Sequence, residues 1–248
     1  MPPVWSATVV EHHRLRRDLA VVRLVGDAVP FLAGQSVSVA VPQQPRIARR
    51  LSPALPPSLD GKLEFHVRGV PAGWVSSAIV ADTCPGDVWG ISDPRGELTV
   101  DESGREVVML AGGTGLAPLR ALILELSRRP RPPRTRLFTG ARSPRDLYAD
   151  DMLYLLAAEL DWLTVIPVVE SPADPVWPDE WYDRSRVDVG FGAEQRRHGT
   201  LADMVARHEG FPGHQVLVCG SPAMTRTTIE TLVANGTPAG DIRFDPPG

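Results

Sequence analysis

The sequence predicts two domains, an N-terminal antiparallel β-barrel and a C-terminal α/β domain with a doubly wound parallel sheet. Three observations predict this fold class. Up to about residue 100, short apolar runs are separated by turn residues, a pattern typical of all-β sandwiches and barrels. After residue 104, strand-like runs alternate with helical ones, as in βαβ units. Between them, Val107–Leu124 joins a buried strand, a glycine turn and an amphipathic helix.

The predicted barrel comprises residues 1–103. Its strands are expected at Ser6–Val10, Leu19–Val25, Ser36–Val41, Lys62–Val67, Asp87–Ile91 and Glu97–Val100. Glycines separate these runs, because glycine reaches the backbone angles of tight turns without steric cost. One short helix is expected at Val75–Ala81, after a Pro-Ala-Gly turn.

The predicted α/β domain comprises residues 104–248. Its strands are expected at Glu106–Ala111, Arg136–Thr139, Leu163–Val169, Gln215–Cys219 and Ile242–Phe244. Its helices are expected from Pro118 to about Arg129 and at Asp146–Leu160, Thr200–His208 and Pro222–Asn235. The region 170–199 is long for a loop, and we expect its aromatic residues to pack it against the domain. These aromatic residues are Trp177, Trp181 and Tyr182.

Composition and charge limit the classes of protein to which this chain can belong. With 43% hydrophobic and 23% charged residues, the chain of 248 residues has ample material for a core. A net charge of −4, without basic stretches among aromatics, disfavours nucleic-acid binding. Two cysteines cannot form a disulfide framework or hold an iron–sulfur cluster alone, which favours a reducing cytoplasm. Charges in residues 1–25 argue against export, and no apolar run is long enough to span a membrane.

The glycine turn, Gly112–Gly115, follows a buried strand, and Pro118 lies in the first turn of the next helix. Glycines let a ligand approach the backbone closely, and a helix N-terminus attracts anions. We therefore expect a dinucleotide pyrophosphate here. In the usual strand order, Cys219 ends the strand across the topological switch point, beside this turn and near a nicotinamide ring. Without that position, Cys219 would be interpreted as a core residue.

Two segments in the first half also have the chemistry of phosphate binding. The run Arg46–Ser52 combines three arginines with a hydroxyl. Alone, it favours a simpler interpretation, a solvated arginine cluster on a strand edge. Gly73–Ser77 leads into a helix start whose N–H groups suit a phosphate, although an ordinary serine N-cap is commoner.

In this order and spacing, the motifs resemble those of the ferredoxin–NADP reductase superfamily, specifically the reductase portion of flavohaemoglobins and oxygenase reductases. The resemblance covers almost the whole chain. Arg49–Ser52 is similar to the R-x-Y-S flavin motif, and Pro71–Ser77 resembles the second flavin-phosphate loop. Ala111–Pro118 is similar to the pyridine-nucleotide loop. Phe138–Arg142 and Val218–Met224 resemble the two later nucleotide-contact strands.

The resemblance implies an FAD-dependent NAD(P)H oxidoreductase that passes electrons through the flavin to a separate acceptor, such as a redox protein, a haem protein or an oxygenase. It implies that Arg49 holds the FAD pyrophosphate. It also implies two catalytic positions, Ser52 near flavin N5 and Cys219 beside the nicotinamide. The other implied cofactor contacts are Leu51, Val67, Gly73, Val75, Ser76, Ser77, Gly113, Thr114, Gly115, Pro118, Arg142, Glu170, Gly220, Met224 and Asp245.

Two motifs depart from the family pattern. Leu51 stands where the family has an aromatic residue that stacks on the isoalloxazine, and leucine cannot stack. The C-terminal motif with Glu and an aromatic is Phe244–Gly248 here, in which Asp245 replaces the carboxylate and no terminal aromatic covers the flavin. Leu51 motivates an alternative function, a non-catalytic binding or regulatory subunit that keeps the fold but has lost flavin.

The expected nucleotide donor depends on two opposed residues. Glu170 ends the third strand of the α/β domain, where a carboxylate accepts the ribose 2′-hydroxyl and repels a 2′-phosphate. Arg142 can pair with that phosphate. The balance favours NADH.

Three other enzyme classes are disfavoured. A serine hydrolase would need a G-x-S-x-G motif, which the sequence lacks. A metal enzyme would need ligand-spaced histidines, and the six histidines form no such set. A conventional dehydrogenase would need a third glycine after Gly115, where this chain has Pro118.

Overall fold

The computed structural model describes residues 4–175 and 190–245, which form an antiparallel sheet followed by a parallel one. The expected packing of Trp177, Trp181 and Tyr182 falls outside these residues. Within the described ranges, no helix combines the length and the apolar character needed to cross a bilayer.

Six antiparallel strands form the first sheet, in the order β4-β3-β6-β1-β2-β5. Their bounds are β1 Trp5–Arg16, β2 Leu19–Gly26, β3 Ser36–Ala40, β4 Arg49–Leu51, β5 Lys62–Arg68 and β6 Val88–Arg95. An antiparallel bridge between Pro53 and Phe65 joins the chain after β4 to β5 at the opposite edge. The sheet therefore closes on itself, and the predicted barrel is confirmed. Helix α1, Trp74–Asp82, adds Val75 and Ile79 to the barrel core.

Six parallel strands form the second sheet, in the order β10-β9-β8-β7-β11-β12. Their bounds are β7 Val107–Gly112, β8 Thr135–Ala141, β9 Leu163–Val169, β10 Arg197–His198, β11 Gln215–Cys219 and β12 Ile242–Phe244. The helices are α2 Leu116–Leu126, α3 Asp150–Glu159, α4 Leu201–Arg207 and α5 Pro222–Ala234. Residues of α2 and α3 belong to one apolar core of this domain, and residues of α4 and α5 belong to another. This arrangement confirms the doubly wound fold.

The order of the parallel strands places the switch point between β7 and β11. These two strands are neighbours, with Ala111 opposite Cys219. Successive strands β8 and β9 extend the sheet on one side of β7, whereas β12 extends it beyond β11. Loops leaving β7 and β11 therefore diverge to opposite faces and leave a crevice between them. The predicted position of Cys219 beside the glycine turn is confirmed.

One predicted element was wrong, and one predicted helix begins later than expected. The segment Glu97–Val100 forms no strand, although Leu98 and Val100 are buried. Both side chains pack into the apolar core shared with α2, so their alternation reflects burial without strand pairing. The helix expected to begin at Asp146 begins at Asp150, because a 3₁₀ turn precedes it and Asp146 forms an ion pair with Arg16 of the barrel.

The sequence analysis did not predict the two shortest strands, β4 and β10, as separate elements. Strand β10 has two residues and β4 has three, so neither is long enough to show a period of two. Other boundaries differ by a few residues, and β1 extends to Arg16, well beyond the predicted end at Val10.

Candidate functional site

A cleft of about 740 Å³ lies between the barrel and the α/β domain, at the carboxyl ends of the parallel strands. The barrel side consists of Arg50, Leu51, Ser52, His66, Arg68 and Val70. The other side includes the glycine turn and residues that follow β8, β9, β10 and β11. A concave site of this volume, at a switch point and between domains, is typical of cofactor binding.

The glycine turn is shaped by two glycines with different tasks. Gly113 has a φ of +54°, and among the described residues only Arg68 comes within 4 Å of a Cβ built there. A ligand can therefore approach the backbone at this point. A Cβ on Gly115 would lie 2.3 Å from the carbonyl oxygen of Cys219, so only glycine lets α2 pack this closely on β11. A 3₁₀ turn at Gly113–Gly115 precedes α2, and the Leu116 amide donates to the carbonyls of Gly113 and Thr114. Within the described ranges, no side chain caps this turn, so its own N–H groups can meet an anion.

Arg68 is a site residue that the sequence interpretation missed. It ends β5, and its Nη1 atom lies 3.9 Å from a Cβ built on Gly113, across the boundary between the domains. Its side chain is 32% exposed, and its Nε atom lies 3.8 Å from a carboxylate oxygen of Asp18. A guanidinium at this place faces any phosphate bound at the glycine turn. The sequence feature that could have identified Arg68 is a basic residue at the end of a strand. That feature does not indicate which surface of the protein the strand end faces.

The two predicted catalytic residues line the same cleft from opposite domains. The Ser52 hydroxyl donates a hydrogen bond of 3.5 Å to Oδ2 of Asp245. Burial raises the pKa of Asp245, which the Ser52 hydrogen bond and Arg50 partly offset. Burial, together with the nearby Asp245, raises the pKa of Cys219 to about 12. The Cys219 thiol is therefore protonated at neutral pH and is not a nucleophile.

The adjacent arginines of β4 have different environments. Arg50 donates hydrogen bonds to Oγ and O of Ser36, over 3.1 and 2.9 Å, and pairs with Asp93 at 3.2 Å. These bonds hold β4 against the neighbouring strands. Arg49 is exposed, lies outside the cleft lining and has no hydrogen-bond or ionic partner in the described part of the chain. Its guanidinium is thus available to an anion on the barrel surface.

Arg142 and Glu170 follow adjacent strands, β8 and β9, and both are exposed in the cleft. The Glu170 amide donates to the carbonyl of Ala141 over 3.0 Å, which extends the pairing of the two strands. The structure thus brings together the two residues that the sequence analysis expects to favour different nucleotides. The remaining predicted residues that line the cleft are Thr114, Pro118, Gly220 and Met224.

Seven predicted cofactor contacts lie outside the cleft lining: Arg49 and Asp245, whose surroundings are given above, and five residues of the barrel. Gly73, Ser76 and Ser77 lie at the start of α1. The Ser76 hydroxyl donates to the Gly73 carbonyl over 3.3 Å, and Ser77 donates to the preceding turn over 3.2 Å. These hydroxyls stabilise the turn itself. Val67 and Val75 pack in the barrel core, so only their backbone atoms are available to a ligand.

Known families match both halves of the chain. The family of oxidoreductase FAD-binding domains matches residues 6–100, and the family of oxidoreductase NAD-binding domains matches residues 109–230. The chain is 34% identical, over 240 residues, to the electron transfer component of xylene/toluene monooxygenase from Pseudomonas putida. That match covers 95% of this chain and 63% of the relative. The reductase component of phenol 2-monooxygenase from a Pseudomonas species is 32% identical, with 83% of this chain and 54% of the relative covered.

Solved structures agree with the family matches. A cytochrome P450 reductase of Amycolatopsis is 27% identical, with a TM-score of 0.78, and the match covers 97% of this chain and 68% of that one. A ferredoxin NADP+ reductase from Neisseria gonorrhoeae, solved with bound FAD and NADP, has the same fold, with a TM-score of 0.78 at 18% identity and 97% of each chain covered. The chain spans between half and two thirds of the length of curated relatives such as these reductase components.

Proposed function

The chain belongs to the ferredoxin–NADP reductase superfamily, and we propose that it is an FAD-dependent NAD(P)H oxidoreductase of the oxygenase-reductase type. The observation that carries this proposal is the cleft, which Ser52 of the barrel and Cys219 of the parallel sheet line from opposite sides. When bound, FAD supplies the redox chemistry, accepting a hydride from the nicotinamide and releasing electrons to an acceptor. The chain itself binds the two cofactors, orients their rings and shields the rings from water.

The residues present fit both cofactors. On the barrel, exposed Arg49 and the start of α1, which no described side chain caps, can bind the FAD pyrophosphate. On the other domain, the glycine turn can bind the nucleotide pyrophosphate, with Arg68 opposite. We propose that the domains divide as residues 1–103 and 104–248, with one cofactor held by each.

In this proposal, the two side chains beside the reacting rings, Cys219 and Ser52, are uncharged. Cys219, as a protonated thiol, packs between the glycine turn and the nicotinamide position without reacting. Ser52 presents a hydroxyl towards the flavin position and is held by Asp245. Neither residue needs to act as an acid or a base, since hydride transfer requires close, water-excluded positioning of the two rings.

Purification and anaerobic titration test this function. The protein should carry yellow flavin that NADH bleaches, and Arg49→Ala should lose FAD because it removes a pyrophosphate contact. The alternative function, a binding or regulatory subunit without flavin, predicts a colourless protein in which Arg49→Ala changes nothing. Leu51 is the one observation that favours this alternative.

We propose NADH as the donor, because Glu170 stands beside Arg142 and offers a carboxylate to the ribose. Stopped-flow reduction of bound flavin by NADH and by NADPH measures the preference. Glu170→Gln should raise the NADPH rate constant about tenfold, since one charge repulsion is removed. Arg142→Gln should lower it. A wild-type protein that prefers NADPH would contradict the proposal.

We propose that the electrons pass to a separate acceptor, a redox protein, a haem protein or an oxygenase. The support comes from the relatives, which are named as electron transfer and reductase components. We also propose the cytoplasm as the location, supported by two free cysteines, Cys84 and Cys219. Cross-linking to co-purified redox proteins would identify the acceptor.

A further inference from the structure

The width of the cleft depends on the contact between the barrel and the α/β domain, because each supplies one side. Part of that contact is apolar, with Leu98 and Val100 of the barrel half packed in the core that contains α2. Apolar packing is non-directional, whereas a hydrogen bond requires its donor and acceptor at a set distance and angle. Directional bonds across the boundary are therefore the features that can fix the width.

A chain of buried hydrogen bonds crosses the boundary at the floor of the cleft. Glu64 and His66 lie in β5, Arg120 lies in α2, and Tyr148 lies just before α3. His66 Nδ1 is 2.7 Å from the Tyr148 hydroxyl, and His66 Nε2 is 3.1 Å from Oε1 of Glu64. Arg120 donates to the same Glu64 oxygen over 2.9 Å. None of the four side chains is more than 15% exposed.

The protons in this chain can be assigned. Although burial opposes it, the His66 hydrogen bond and the charge of Arg120 lower the pKa of Glu64 to about 2, so the carboxylate is an acceptor. Burial lowers the pKa of His66, so the ring is neutral and carries one proton, on the Nε2 atom that faces Glu64. Nδ1 must then accept, and burial raises the pKa of Tyr148, whose hydroxyl keeps its proton and donates. Every bond has one donor and one acceptor.

We propose that His66 and Tyr148 are positioning residues, whose hydrogen bond holds the two sides of the cleft at the separation that sets the nicotinamide against the flavin. This inference rests on the proposed function. His66 lines the cleft, and Tyr148 belongs to the apolar core against which Cys219 packs. Loss of the bond therefore displaces groups next to the reacting atoms. A displacement of about 1 Å at such a place can slow a reaction about 100-fold.

The chemistry of the chain allows this one bond to be removed selectively. Glu64 accepts from Arg23 over 2.7 Å as well as from Arg120, so it remains paired when the bond between His66 and Tyr148 is lost. The Tyr148 ring packs edge-on against His66, with centroids 5.4 Å apart. Tyr148→Phe keeps that packing and removes only the hydroxyl. His66→Gln keeps an amide donor for Glu64 when its nitrogen takes the place of Nε2, and its amide oxygen then points away from the Nδ1 position that accepts from Tyr148.

A matched control is a buried hydroxyl that bonds within one domain. Thr135 is 1% exposed, and its hydroxyl donates to the Pro133 carbonyl over 3.0 Å. Thr135→Val should lower the melting temperature and leave flavin reduction unchanged. Tyr148→Phe and His66→Gln should instead lower the limiting rate of flavin reduction by NADH at least tenfold, by the positioning argument above. They should also weaken the absorbance band of the stacked nicotinamide and flavin, with FAD affinity unchanged.

Amide hydrogen exchange tests the bond without any cofactor. Exchange in segments 64–68 and 112–116 should be faster in Tyr148→Phe and His66→Gln than in Thr135→Val. If wild-type flavin is not reduced by NADH, the proposed function fails, whereas the exchange comparison still decides whether the bond holds the cleft. Two results would overturn the inference. One is exchange in both variants that equals the control, and the other is a limiting reduction rate equal to the control in a protein that NADH does reduce.

Discussion

Leu51 is the residue that most distinguishes this chain from the flavin motif it resembles. It is half-buried, lines the cleft beside Ser52 and packs against the barrel core. A leucine buries apolar area against a flavin but offers no ring for stacking. The motif therefore has its phosphate-binding arginine and its hydroxyl but lacks the aromatic contact.

Leu51→Tyr should tighten FAD binding. An aromatic contact adds about 0.5–1.5 kcal/mol beyond area burial, which corresponds to a roughly 2–10-fold lower dissociation constant. Quenching of flavin fluorescence during titration of the cofactor-free protein measures this constant. Leu59→Tyr is a suitable control, because Leu59 is fully exposed. Equal affinities in the two variants would mean that residue 51 does not contact the flavin ring.

The two cysteines should differ strongly in reactivity. Burial raises the pKa of Cys219 to about 12, whereas Cys84 is exposed. Thiolate is the form that iodoacetamide alkylates, so Cys84 should be modified first and Cys219 only after unfolding. Peptide mass spectrometry after timed alkylation at neutral pH distinguishes the sites. Prompt modification of Cys219 in the folded protein would show that its thiol is not held in the protonated form.

At the scale of elements, the glycine turn joins β7 to α2 and depends on the close approach of α2 to β11. Local patterns predicted this element well, because the apolar run, the glycines and Pro118 are contiguous in sequence. Patterns were less reliable at Glu97–Val100, where alternating apolar residues are buried in the interdomain core without strand pairing. Alternation predicts which side chains are buried, whereas a strand also needs a partner for its backbone.

Gly115→Ala should destabilise the protein by about 1–3 kcal/mol, the usual range for an overpacked core position. The added methyl would lie 2.3 Å from the Cys219 carbonyl oxygen, so α2 would have to move away from β11. Gly240→Ala is the matched control, since a Cβ at Gly240 meets nothing within 4 Å among the described residues. Urea unfolding of both variants measures the difference. Equal stabilities would show that the turn adjusts without cost.

At the scale of the whole molecule, the contact between the domains creates the cleft. The sequence interpretation found residues on both sides, including Ser52, Gly113, Glu170 and Cys219, because each belongs to a local motif. It missed His66 and Arg68, which lie in an ordinary barrel strand and have no distinguishing neighbours in sequence.

Acid should destabilise the protein through the buried interdomain bonds. The folded-state pKa of Glu64, about 2, is below its ordinary 4.5, so its contribution is present above pH 4.5 and is lost as pH falls towards 2. The lowered pKa of His66 makes its contribution decline as pH falls below 6.5, since only the unfolded chain then binds a proton. Both effects lower the stability of the folded protein as the pH falls. The groups that act on His66 are Glu64, Tyr148 and the guanidinium groups of Arg120 and Arg23.

Urea unfolding at pH values above 6.5, between 6.5 and 4.5, and below 4.5 measures this decline. Glu64→Gln should lower stability by about 3 kcal/mol or more above pH 4.5, because it leaves the largely buried Arg120 guanidinium without its carboxylate partner. When the pH falls below 4.5, the free energy of unfolding should decrease less in Glu64→Gln than in the wild type. An equally steep loss in both proteins would assign the acid sensitivity to other groups.

The sequence by itself determined the barrel, the doubly wound sheet, the glycine turn and the position of Cys219 at the switch point. These features follow from apolar periodicity, glycine spacing and strand order, which are properties of neighbouring residues. Only the tertiary structure decided that His66 bonds to Tyr148, 82 residues away, and that Arg68 faces Gly113. Such pairs form only when two separately patterned domains pack together, and no local pattern encodes the position of one domain on the other.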